Sequence, residues 1–439
     1  MNKYTASLFP RLPLTIGVLL CAVAFARAGQ STKFGFYEGA EFGSSLLVLG
    51  DLDEDGVEEF AVGAPTAACD LKSPGRVLVL SGATRSVLQV WQGEPTHGGF
   101  GTSLRTVADV NRDGAPDVLV GYWGSMRCEV RSGRDGKHLL AFDRDADEVL
   151  SFGDANHDGV SDFLLVDATS IEIRDGRDGV ARIGSARRDS SKRAHPVGDL
   201  DGDGFVDLVS NGEELMLLLS APEDLGEGRI TGYFPRAGQR PLADRWPAVM
   251  SWNEHKDAPP WEFVAAFPAG DLDQDGSADL LLSLKRGDTG VAFALSLHKP
   301  EPLFVISGKS GMGYAASTIY AANGQGHPTL LLSGPVEPFS LRVRAHSGED
   351  GKEQWSASWG DRGGTSEMCM TRWSNQPDAG GVLIGSSCYG NHGPICRVGE
   401  LRELDAATGE VRWVLSVDEV PELSREALCG SAVQGERDR

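Results

Sequence analysis

The stretch FGSSLLVLGDLDEDGVEEFAVGAP, residues 42–65, sets an acidic loop, Asp51-x-Asp53-x-Asp55-Gly56, between two apolar runs. Carboxylates this close repel one another unless a cation lies among them. The pattern extends to nine residues, ending Val57-x-Glu59, and it recurs four times. Asp109, Asn111, Asp113, Ala115 and Asp117 form the second copy, and Asp154, Asn156, Asp158, Val160 and Asp162 the third. Asp199, Asp201, Asp203, Phe205 and Asp207 form the fourth; Asp271, Asp273, Asp275, Ser277 and Asp279 the fifth.

Oxygen ligands at positions 1, 3 and 5, a backbone carbonyl at position 7 and a carboxylate at position 9 suit a hard cation. Gly at position 6 supplies the sharp turn that folds the ligands inward. Magnesium demands stricter octahedral geometry and holds its water, so calcium is the expected ion, about five per chain for the five loops. An EF-hand would need a bidentate Glu at position 12, where these loops carry Val62, Val120, Leu165, Ser210 and Leu282. The apolar runs on either side, such as VLVGYW and FLLVDA, are short and strand-like rather than helical.

A second element follows each loop region. LSGATRSVLQVW (80–91), RSGRDGKHLLAF (131–142), RDGRDGVARIG (174–184), HSGEDGKEQW (346–355) and DAATGEVRWVL (405–415) share a tight Gly-containing turn before an extended run, a hairpin signature. The two elements together make a unit of four short strands. Loop starts at 51, 109, 154, 199 and 271 are spaced as in propellers or solenoids. Two further units, about 313–356 and 365–415, hold the phase without metal ligands. The expected fold is therefore all-β: a seven-bladed β-propeller of four-stranded antiparallel blades, closed so that few strand edges are exposed. Residues 31–38 or the C-terminal strand are expected to complete the last blade.

Phe42-Gly43, the acidic loop and Gly63-Ala64-Pro65 resemble the FG-GAP repeat of integrin alpha-chain propellers and of many exported bacterial proteins. Phe100-Gly101 repeats the opening pair, while later units keep the loop and lose Gly-Ala-Pro. The resemblance implies the propeller fold and calcium at the five loops; it says little about a ligand.

Residues 1–28 read as a secretory signal: Lys3 and Arg11 precede an apolar run, and Ala26-Arg27-Ala28 is a small-x-small cleavage site. The propeller then occupies 29–415 and a tail 416–439. Removing the signal takes 41 Lys+Arg to 38 against 63 Asp+Glu, a net −25. Such a surface disfavours nucleic acid and anionic membranes and favours cations. No later segment is apolar enough to span a membrane. The expected location is secreted, periplasmic or at the cell surface, as a monomer. Six cysteines remain, an even number that permits three disulfides, with Cys388–Cys396, Cys69–Cys128 and Cys369–Cys429 as one pairing among fifteen.

In a four-stranded blade the first-to-second and third-to-fourth turns share one face, which the calcium loops and Ser-Gly turns are expected to line. Residues 64–75, 122–128, 286–290, 335–339, 389–395 and the insertion 221–262 are assigned to the opposite face, where binding is expected. Tyr122 and Trp123 are candidate contacts there; Trp91, Trp252, Trp261 and Tyr389 are read mainly as packing. Ser307-Gly308-Lys309-Ser310 lacks the first Gly of a phosphate loop and reads as a turn. Arg286-Gly287-Asp288 is a tripeptide too short to assign adhesion by itself, and Asp143 to Glu148 reads as a blade linker. No nucleophile elbow, His-Glu-x-x-His or Cys–His signature is present. The expected function is a non-catalytic interaction or adhesion module for a protein or polysaccharide ligand. The alternative is a propeller-type polysaccharide lyase or glycosidase assembled from distant blades.

Overall fold

The computed structural model describes residues 40–67, 74–95, 97–122, 127–143, 148–166, 170–187, 194–211, 215–219, 223–224, 230–231, 239–250, 261–287, 289–309, 315–319, 327–337, 340–359, 367–373, 380–387 and 399–424. The signal-like residues 1–28, the acidic cluster between Asp143 and Glu148, Trp123 and most cysteines lie outside them.

The described residues form seven four-stranded antiparallel sheets, each built from strands in sequence order. The first blade comprises Leu46–Gly50, Glu59–Ala64, Arg76–Leu80 and Val87–Gln92. The others run over 104–143, 148–187, 194–241, 262–309, 315–359 and 367–416. First strands lie side by side between the first and second, second and third, fourth and fifth, fifth and sixth, and sixth and seventh blades, and that of the seventh meets that of the first. The third and fourth blades share a core through Phe152 and Leu208. The ring is closed, as the repeat spacing implied.

Blade stacking explains the apolar pattern. A middle strand is covered on both faces by its neighbours, so Glu59–Ala64 and Asp162–Val166 are buried throughout. An outer strand such as Val87–Gln92 alternates instead. The cores lie between blades: Leu49, Val77, Val79, Trp91, Phe100, Val118, Val120 and Tyr122 fill the seam between the first and second. Trp91 is thus core, as expected.

Three readings are corrected. The 221–262 insertion does not all lie on one face. The fourth blade's third strand is Leu215–Leu218 and its fourth is Gln239–Pro241. Leu218 and Gln239, the paired ends of these two strands, therefore stand at the end that carries the acidic loops. The chain then continues through two short helices, Leu242–Arg245 and Pro247–Met250; Trp246 between them is fully buried and donates its indole N–H to Ser296 O and Lys299 O of the fifth blade. Second, residues 307–309 are strand, not turn, because Ser307, Gly308 and Lys309 pair with Val291, Gly290 and Thr289. Third, Arg286 and Thr289 are paired strand residues, so the segment assigned as a connection is strand at both ends.

The C-terminal strand completes the last blade, as expected, and residues 31–38 lie outside the described residues. Val411–Ser416 pairs with Glu400–Asp405, its predecessor in sequence. Two 3-10 turns, Val417–Glu419 and Pro421–Leu423, carry Val417, Val420 and Leu423 into one core with Phe42, Leu46, Phe60, Leu383 and Leu401. Arg76 Nη1 donates to Glu422 O at 2.9 Å, tying the clasp to the first blade.

Candidate metal centres

All five acidic loops join the first and second strands of a blade, and strands rather than helices flank each one. Their frame is made by their own backbone. The position-1 carboxylate accepts the N–H of position 5 with one oxygen and that of position 6 with the other: 3.1 and 2.9 Å at Asp51, 2.9 and 2.8 Å at Asp154. Asp109, Asp199 and Asp271 do the same. Position-5 Oδ1 accepts the N–H of position 7 (Val57, Ala115, Val160, Phe205 or Ser277), which leaves Oδ2 for another partner. Gly at position 6 has φ between 85° and 93° in all five loops, a conformation side chains disfavour.

The position-9 carboxylate stands at the base. Glu59, Asp117, Asp162, Asp207 and Asp279 are at most 1% exposed. One oxygen of each accepts the N–H of position 2, at 2.5 Å from Leu52, 2.7 Å from Val110, 2.9 Å from Ala155, 2.8 Å from Leu200 and 2.7 Å from Leu272. Burial pushes Asp117, Asp162 and Asp279 up to about 6, and it raises Glu59 as well. In the fourth loop, burial and the neighbouring carboxylates raise Asp201 and Asp203.

The carboxylates converge in four loops. Oxygens of Asp51, Asp53 and Glu59 lie within 4.8 Å of one another, as do those of Asp109, Asp113 and Asp117, of Asp199, Asp201 and Asp203, and of Asp271, Asp273 and Asp279. Asp279 Oδ1 is buried with no hydrogen-bond partner among the described residues. A buried carboxylate oxygen without a donor is costly unless a cation meets it, so this donor set fits a hard metal ion. Asp55, Asp207 and Asp275 stand in their loops outside these triads, and the third loop does not converge in this way.

In the first three blades the third-to-fourth hairpin completes the site, a contact not expected from the amino-acid sequence. The free oxygen of position 9 accepts the N–H of Gly82 (3.4 Å), Gly133 (3.4 Å) or Gly176 (2.9 Å). A Cβ on these glycines would stand 2.0–2.1 Å from the carbonyl oxygen of Glu58, Pro116 or Ser161, so only Gly lets the hairpin come this close. In the fifth blade Leu297 occupies that place, which accounts for the orphaned Asp279 oxygen. In the sixth and seventh blades Thr329 and Gly381 replace the carboxylate. The hairpin N–H groups of Gly348 and Ala406 then bond to the carbonyls of Pro328 (2.8 Å) and Gly380 (3.0 Å). The recurring Ser-Gly and Asp-Gly turns were the signal for this contact.

The hairpins also bring cations. Arg177 Nε lies 3.0 Å from Asp158 Oδ2, Lys299 Nζ 3.0 Å from Asp273 Oδ2, and Arg134 Nε 3.8 Å from Asp113 Oδ1. Although burial works to raise them, Asp273 is lowered by Lys299, and Asp113 by bonds from Asn111, Ala115 and Ser132 and by Arg134.

On the opposite face, Tyr122 is not a surface contact. It is 6% exposed, packs on Phe100 at 5.2 Å, donates its hydroxyl to buried Glu129 and accepts the Glu94 N–H at 2.9 Å. Arg131 and Arg127 complete the Glu129 network at 2.6 and 3.5 Å. A ring beside a strand end reads alike whether it turns in or out, and here the adjoining blade supplies the apolar side. Arg286 of the Arg-Gly-Asp tripeptide lies over the Trp261 ring at 4.5 Å; Asp288 is outside the described residues. Cys128 is buried, and its expected partner Cys69 is likewise outside them.

The FG-GAP repeat family matches residues 42–80, which hold the first blade's acidic loop. The chain is 40% identical over 101 residues to integrin alpha-8 of Mus musculus, covering 21% of this chain and 9% of that one. It is 36% identical over 114 residues to integrin alpha-V of Gallus gallus, covering 24% and 11%. The matched part is thus about a tenth of the length of these relatives. Sqt1 of Saccharomyces cerevisiae superposes with a TM-score of 0.47 at 10% identity, covering 86% of this chain and 85% of that one. The repeat and the integrin alpha relatives support an FG-GAP β-propeller. Among the described residues no helix is long and apolar enough to cross a membrane.

Proposed function

We propose that this chain is an exported, calcium-stabilised β-propeller that acts as a non-catalytic interaction or adhesion module for a protein or polysaccharide ligand. The observation that carries the reading is the repeated acidic loop: one N–H frame, converging carboxylates and a buried oxygen left without a donor, set in a closed ring. When bound, calcium supplies the positive charge these loops lack. Positions 1, 3, 5 and 9 offer side-chain oxygens and position 7 a carbonyl. Metal that binds only the folded ring stabilises it by mass action. The similarity to integrin alpha chains supports an interaction role, and the signal-like residues 1–28 support export. The ligand face is the one opposite the metal loops, where second-to-third connections leave the blades.

Two measurements test this reading. Calorimetry should detect calcium binding, and a chelator should lower the melting temperature; unchanged melting in excess chelator would remove the structural role of calcium. A glycan array and a pull-down with loaded protein should yield a bound ligand. Turnover of a polysaccharide would instead establish the lyase or glycosidase alternative.

A further inference from the structure

The third acidic loop has the same ligand types as the second, Asp-Asn-Asp-Asp at positions 1, 3, 5 and 9, and the same backbone frame. Yet the second loop's three carboxylates converge and the third's do not. The difference lies in what the hairpin delivers. Gly176 seats the third blade's hairpin on Asp162 at 2.9 Å, and the next residue, Arg177, reaches over the loop. Its Nε lies 3.0 Å from Asp158 Oδ2, and its Nη2 donates to the Asp158 carbonyl at 2.7 Å.

That Oδ2 is the oxygen the loop frame leaves for a metal, since Oδ1 already accepts the Val160 N–H. In the second loop the corresponding oxygen, Asp113 Oδ2, meets only neutral donors, Asn111 Nδ2 and Ser132 Oγ, each at 2.8 Å. Both can rotate to face a cation. Arg134, the counterpart of Arg177, stays 3.8 Å from Asp113 Oδ1. In the fifth loop Lys299 pairs with position 3 and the triad still converges. A second guanidinium also approaches the third loop: Arg112 Nη2 lies 3.8 Å from where a Cβ on Gly159 would stand. A planar guanidinium bonded to both the carboxylate and the carbonyl of one residue is a more fixed cation than a lysine ammonium.

We propose that the Arg177 guanidinium, not a calcium ion, is the resident cation of the third loop. This rests on the reading of the other loops as calcium sites, and it makes the sites inequivalent: four bind calcium, while the third is closed by the chain itself. Opening it requires breaking a charge-assisted contact pair, so the third loop should bind calcium about 10- to 100-fold more weakly than its ligand set alone would.

The test is calcium content per full-length chain, measured by elemental mass spectrometry after equilibrium dialysis at calcium just sufficient to saturate the wild type. Four ions are expected in the wild type and five in Arg177→Gln. Arg134→Gln should stay at four. Asp154→Ala should leave the wild type at four but return Arg177→Gln from five to four, which locates the gained ion. Five ions in the wild type, or four in both the wild type and Arg177→Gln, would overturn the assignment. No bound calcium in any variant would overturn the metal reading itself, a separate failure.

Discussion

Removing calcium should reverse the sign of the protein's response to mild acid. Asp117, Asp162 and Asp279 sit at the base of three loops, and burial pushes each up to about 6 in the metal-free fold. In the unfolded chain an aspartate titrates near 3.9. Between these values the folded state holds more protons than the unfolded one, so stability rises as pH falls. From pH 6.5 to 4.5 each group contributes roughly 2 kcal/mol, and the three together up to about 5 kcal/mol. Asp113, Asp273 and Asp405, whose carboxyls are lowered, act in the opposite sense; their stabilisation is lost only as pH falls through still lower values. With calcium bound the sign inverts at Asp117 and Asp279, because protons now compete with metal there; Asp162, in the loop that Arg177 closes, keeps its sign. A site saturated at about 100 times its dissociation constant contributes about 2.7 kcal/mol, which is lost as its carboxylates protonate. Urea midpoints at pH 4.5, 5.5 and 6.5, in calcium-depleted and calcium-containing buffer, should therefore give slopes of opposite sign that converge at the acid end. Asp279→Asn should flatten the calcium-depleted slope by at most about a third, since Glu59, Asp201 and Asp203 are raised as well and act in the same sense. Buried His346, lowered by desolvation, opposes these groups in the same window, so an unchanged calcium-depleted slope in Asp279→Asn is the result that would refute the buried-carboxylate account. Parallel slopes in the two buffers would refute calcium's contact with Asp117 and Asp279.

Gly133→Ala should cost about 1–3 kcal/mol in denaturant unfolding, because its Cβ would stand 2.0 Å from Pro116 O. Gly98→Ala, with nothing within 4 Å, is the control; equal midpoints for the two would count against the close hairpin contact. Tyr122→Phe takes a donor from buried Glu129 and should cost about 1–3 kcal/mol, read as a lower melting temperature. An unchanged melting temperature would make Tyr122 a candidate surface contact again. Leu423→Ala empties part of the seam between the seventh and first blades and should cost about 2–4 kcal/mol. Wild-type stability there would show that the C-terminal clasp does not hold the ring.

The acidic loops and the seven-unit repeat are legible in the amino-acid sequence because their determinants are local. In nine residues, the oxygens of Asp51 and Asp53 meet N–H groups at Asp55 and Gly56, so residue type and spacing suffice. Burial on both faces likewise writes unbroken apolar runs into the middle strands. Other features are not legible there because they join distant parts of the chain. The Gly176 N–H reaches Asp162 across 14 residues, and Arg76 reaches Glu422 across 346. The Phe100 ring that buries Tyr122 comes from the turn entering the second blade, against which the first blade packs. The insertion's division between two faces depends on which residues pair as the fourth strand of its blade, a matter of register rather than composition. By itself, then, the sequence determined the repeat, the strand-loop-strand unit and the acidic loops, because turn geometry and strand period act over a few residues. Tertiary structure alone decided which loop faces a guanidinium, which aromatic ring is buried and how the ring closes, because each depends on what the neighbouring hairpin or blade brings within about 3–5 Å.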